Sequence, residues 1–127
     1  MSTLNSKRPV NLNVLGWFPL SAMASITHRI TGILLVAGVG VIIYLADLAF
    51  TSAEGFASAK ALVGAGGIFT FLLWATLVVL GYHLLAGIKH ILLDFHIGDS
   101  VAAAHGLSIA VIVLTAIDAV LLGAWLW

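Results

Sequence analysis

The chain is 127 residues long, 62% hydrophobic and 8% charged, with five Lys+Arg balancing five Asp+Glu and no cysteine. Soluble domains run about 45–50% apolar and about 25% charged, so an ordinary water-soluble fold and intrinsic disorder are both excluded. Balanced charge gives no basic field for nucleic acid, and the lack of Cys excludes disulfides, thiolate catalysis and Cys-ligated zinc or iron–sulfur centres.

What remains is an all-α integral membrane protein, a single domain over 1–127 with three transmembrane helices, too short to contain a sizeable water-soluble catalytic domain. Its first segment, 1–21, is broken by Pro9 and Pro19 and is expected to lie along the inner membrane surface. It lacks the apolar stretch of a secretory signal and the Arg-rich, acid-poor length of a transit peptide. The first span is predicted near 22–49, because Ile30 to Ala46 carries no Lys, Arg, Asp or Glu. Residues 51–60 read as a polar connector. The second span is predicted over 62–95, since Ala61 to Ile88 is an uncharged run of 28 residues. A helix that long exceeds the hydrocarbon core and must tilt or protrude. The third is predicted over 105–127, interrupted only by Asp118. Each span meets the roughly 20 apolar residues a crossing helix needs.

Orientation follows the cations. Lys7, Arg8, Arg29 and Lys89 fall on one side and Lys60 alone on the other. The positive-inside rule then places the N-terminus and the 96–105 loop in the cytoplasm, and the lack of a transit peptide points to a bacterial inner (plasma) membrane. Trp125 and Trp127 fit an aromatic belt at the outer face and Trp17 one at the inner face.

Polar residues at membrane depth are costly, about 2.5–3.5 kcal/mol for a central Arg, Lys or Asp, and so mark candidate sites. On the second span His83, Gly87, His90 and Asp94 return to one helical face. An imidazole can ligate haem iron, and a nearby Gly leaves room for a flat macrocycle. The competing reading is that His83 only hydrogen-bonds a neighbouring helix. On the first span Ser25, His28, Arg29 and Gly32 share a face. Arg29 can clamp a carboxylate bidentately with His28 as a second donor, which suits haem propionates or quinone carbonyls. Alternatively, Arg29 snorkels to lipid phosphates. Asp47 and Asp118 read as pairing across helix interfaces rather than as a proton path. Tyr82 reads as packing, and Asp94, His96, Asp99 and His105 as groups at the inner water boundary.

Three blocks occur in order: Arg8-Pro9-Val10-Asn11-Leu12, Ser25-Ile26-Thr27-His28-Arg29-Ile30-Thr31-Gly32, and His83-Leu84-Leu85-Ala86-Gly87-Ile88-Lys89-His90-Ile91-Leu92-Leu93-Asp94-Phe95. Together they resemble the succinate dehydrogenase cytochrome b556 subunits, the larger membrane anchors of respiratory Complex II. The resemblance runs from Arg8 to the C-terminus and implies that His83 is an axial ligand of haem b. It implies that Ser25 and Arg29 line the quinone pocket, and that His28, Arg29 and His90 sit on the haem-propionate side. Lys89 stands where the family usually has Arg, which keeps the charge and loses the bidentate fork.

A six-coordinate haem needs two axial ligands, and His83 is the one His far inside the spans. A second, smaller anchor subunit would supply the other and complete the bundle. The remaining implied partners are a flavoprotein that oxidises succinate, an iron–sulfur subunit on the cytoplasmic face and the lipid bilayer, with ubiquinone as acceptor. The alternatives are an anchor holding neither haem nor quinone, a fumarate reductase anchor using menaquinone, and a small metal or proton transporter.

Overall fold

A computed structural model describes residues 20–127 of the chain, so the expectations for the surface segment, Trp17 included, lie almost wholly outside the described residues. Four helices follow in order: α1 Leu20–Thr51, α2 Ala53–Gly64, α3 Ile68–Asp94 and α4 Val101–Leu126. Three of them, over Ala22–Thr51, Ile68–Asp94 and Val101–Leu126, are long and apolar enough to cross a membrane.

The polar connector expected at 51–60 is instead helical, and it forms most of the 12-residue α2. Its start is a local capping effect. The Ser52 hydroxyl accepts from the Gly55 N–H at 2.9 Å, and Glu54 sits in the first turn, where a carboxylate favours the exposed N–H groups. The second span therefore begins at Ile68 rather than near 62. The uncharged run hides a break, because Gly66 takes φ +66° between α2 and α3, a conformation that costs glycine little. The Thr70 hydroxyl then donates to the Val63 carbonyl at 2.5 Å and ties the first turn of α3 to the end of α2. At 27 residues α3 is about 40 Å long at 1.5 Å per residue. His96 (φ 58°) and Gly98 (φ 72°) reverse the chain into α4, whose N-terminus is capped by the Ser100 hydroxyl accepting from Ala103 N–H at 3.2 Å.

Helix α3 is central. It packs along α1 and along α4, and those two touch each other far less. The register against α1 is antiparallel: Gly32 meets His83, Gly38 meets Thr76, and Tyr44 stacks on Phe69 with ring centroids 5.7 Å apart. Against α4, Gly81 meets Asp118, and the Trp74 indole donates to the Ala119 carbonyl at 2.9 Å.

The interior holds mostly small and hydroxylated side chains, Ala24, Thr31, Ala59, Thr70, Thr76, Ala86 and Ser108, beside Leu45, Val111 and Lys89, whereas Ile33, Val36, Phe50 and Val120 are exposed. This inverts a soluble core. In hydrocarbon there is no hydrophobic gain in burying large apolar groups between helices, so small residues that allow close approach line the contacts.

Candidate functional site

The site forms at the end of the bundle that carries Arg29 and His90. On each of two antiparallel helices the sequence places a His four residues before a Gly: His28 and Gly32 on α1, His83 and Gly87 on α3. A four-residue step returns to nearly the same face, so the pairs meet reciprocally. A Cβ added at Gly32 would lie 3.3 Å from His83 Cε1, and one added at Gly87 would lie 3.5 Å from His28 Nε2. Each glycine is thus the floor beneath the other helix's imidazole. The two rings stack with centroids 4.0 Å apart and planes 15° from parallel. His90 stands tilted beside His28, with ring centroids 5.2 Å apart.

His83 is fixed through one ring nitrogen. Its Nδ1 lies 3.0 Å from Thr31 Oγ1, and that hydroxyl donates to the His28 carbonyl at 2.8 Å. Thr31 is buried, 6% exposed. The other nitrogen, Nε2, makes no hydrogen bond to a described residue. Stacking covers a ring face, while the Nε2 lone pair lies in the ring plane, so contact with His28 does not consume that coordination direction.

The remaining candidates are more open. Ser25 is partly buried, with no side-chain hydrogen bond among the described residues, and Arg29 is exposed on α1. Of the four residues expected to share a face of the first span, only His28 and Gly32 touch α3 rings or floors; Arg29 turns to the surface. Asp94 is exposed as the last residue of α3, and His96 lies 3.3 Å from Asp99 in an exposed turn. Tyr82 packs as expected and donates its hydroxyl to the Ala24 carbonyl at 3.3 Å.

Four polar residues behave in ways the sequence reading missed. Thr31 stood only as part of a motif, yet it joins the two histidine-bearing helices. Lys89, expected as an interfacial cation, is 2% exposed, and its Nζ has no hydrogen-bond partner among the described residues. It lies three residues after the fully buried Ala86, on the same face of α3. Asp47 is exposed and its side chain pairs with no described residue. Asp118 packs against Gly81, where a Cβ would come within 2.5 Å of Oδ2, an oxygen with no partner among the described residues. The expected carboxylate pairing across α3 and α4 is therefore a steric fit to a glycine.

Residues 5–123 match the family described as Succinate dehydrogenase/Fumarate reductase transmembrane subunit. The succinate dehydrogenase cytochrome b556 subunit of Coxiella burnetii is 36% identical over 125 residues, covering 98% of this chain and 100% of that protein. The subunit of the same name from Paracoccus denitrificans is 41% identical over 106 residues, 81% of this chain and 78% of its own length. The mitochondrial succinate dehydrogenase cytochrome b560 subunit of Bos taurus is 34% identical over 126 residues, 97% of this chain and 73% of that protein.

Proposed function

The chain belongs to the succinate dehydrogenase/fumarate reductase transmembrane subunit family, and from that premise we propose that it is the larger membrane anchor of a succinate:ubiquinone oxidoreductase, holding one side of a haem b and part of the quinone-reduction site. It is a multi-pass membrane protein. In this reading its N-terminus faces the cytoplasm of a bacterial inner membrane. Its complex is completed by a flavoprotein, an iron–sulfur subunit and a smaller anchor subunit.

The observation that carries the reading is the setting of His83. Its imidazole is tied at Nδ1, open at Nε2 and floored by a glycine. A haem iron ligand needs those features: a fixed orientation, a free ring nitrogen and room beside the ring for a macrocycle. Among the described residues no group of three His, Asp or Glu side chains is placed to share a metal ion. In this reading His83 would hold the haem iron from this chain's side, and a porphyrin and a partner's ligand would complete the site. When bound, the haem supplies a one-electron store beside the quinone site. His28 stands beside His83, and His90 beside His28; both would serve as donors for propionate oxygens, with Arg29 as a permanent cation at the same end of the bundle.

For quinone reduction the chain contributes orientation and charge. The Ser25 hydroxyl, four residues before Arg29 on the same helix, donates to one quinone oxygen. The exposed Arg29 guanidinium stabilises the negative charge that develops there as electrons arrive from the iron–sulfur subunit.

The test is a split assay on the assembled complex. Ser25→Ala and Arg29→Ala are expected to lower ubiquinone reduction by about tenfold or more, the scale of a lost charge-assisted hydrogen bond. Succinate oxidation with an artificial acceptor should stay intact. If both activities fall together, the defect lies in assembly and the pocket assignment is wrong.

A further inference from the structure

We propose that Thr31 is the positioning residue that selects the tautomer of His83 and raises its donor strength toward iron. This rests on the reading of His83 as a haem ligand. Thr31 has one hydroxyl hydrogen, and the 2.8 Å contact to the His28 carbonyl takes it. The oxygen that lies 3.0 Å from His83 Nδ1 is then an acceptor, so Nδ1 carries the ring proton and donates. A neutral imidazole protonated at Nδ1 has its lone pair on Nε2, the nitrogen without a partner among the described residues.

The relay His83 Nδ1–H to Thr31 Oγ1, then Thr31 O–H to the His28 carbonyl, is therefore directional. Two helices contribute to it across 52 residues of sequence. Thr31 is only 6% exposed, so water does not compete for the hydroxyl. Ligating histidines are tuned through the hydrogen bond at their other nitrogen, because an acceptor there increases ring basicity. A more basic ligand favours ferric over ferrous iron. Thr31 thus holds the haem potential below the value it would have with an unassisted imidazole.

The relay also explains the register of the site. The carbonyl that anchors it belongs to His28, whose ring stacks on His83. One turn of α1 therefore supplies both the stacking partner and the polar tether. Thr27, one turn earlier, bonds back to the Met23 carbonyl in the same manner but is exposed and reaches no ring.

The experiment compares Thr31→Val, Thr31→Ser and His83→Ala in the full complex with its partner subunits, reading haem stoichiometry, absorbance and midpoint potential. Valine keeps the shape and removes the hydroxyl; serine restores it. Thr31→Val should retain haem and shift the potential upward, each tenfold loss of ferric preference reading as 59 mV for a one-electron couple. Thr31→Ser should return close to the parent value. Haem loss in the valine variant alone also supports a hydroxyl role. An unchanged potential in Thr31→Val, or serine behaving as valine does, overturns the proposal, as does loss of haem in both variants. An unchanged spectrum in both His83→Ala and a His28→Ala/His83→Ala double variant fails the ligand reading itself, a result distinct from any Thr31 outcome.

Discussion

Two glycines set the geometry of the site. Gly32 leaves His83 Cε1 3.3 Å from where a methyl carbon would sit, so Gly32→Ala must push the ring by a few tenths of an ångström. We expect Gly32→Ala to broaden or shift the haem bands of the complex, and Gly40→Ala, whose Cβ would meet nothing within 4 Å, to leave them unmoved. Equal effects from both would mean that ring position is not set by this contact. Ser25, His28, Arg29, His83 and His90 stand out in the sequence as candidates because each is a polar group inside or at the rim of an apolar run, where its presence demands a reason. Thr31 was not. Threonines inside helices bond back to the preceding turn as a matter of course, and Thr27, Thr76 and Thr115 all do so here. Only the docking of α3 against α1 distinguishes Thr31 from them.

Helices were easier to read than the joints between them. Charge-free runs located three spans, but they hid the end of α2, because Ala61 to Gly64 is as apolar as the membrane segment that follows. The cap at Ser52 and the positive φ of Gly66 mark the true boundary. The α3–α4 contact makes a sharper prediction. Gly81→Ala places a methyl carbon within 2.5 Å of Asp118 Oδ2 and should destabilise the packed pair. Asp118→Ala should relieve much of that penalty, giving a coupling of about 0.5–3 kcal/mol in a double-mutant cycle. Unfolding of the purified chain in detergent measures it, and additive effects would show that the two residues do not constrain each other. Trp74→Phe removes the indole bond to Ala119 O and should cost about 0.6 kcal/mol, the average for polar bonds between membrane helices.

Across the whole molecule, burial runs opposite to that of a water-soluble protein. Small residues occupy the contacts, and large apolar ones face outward toward lipid or another membrane chain. The chain presents a tethered imidazole with one nitrogen open and an exposed guanidinium at the same end of its bundle. In the proposed function each is half of an arrangement that a haem, a quinone and partner subunits would complete. The most direct measurement is the low-temperature absorbance of the reduced complex carrying His83→Ala, assembled with its partner subunits and compared with the parent. His28 lies 4.0 Å from His83, so a His28→Ala/His83→Ala double variant is scanned beside it to close substitution by the neighbouring ring. The account predicts that the b-type haem bands are lost or displaced in His83→Ala and absent in the double variant; bands of parental position and intensity in both would contradict it.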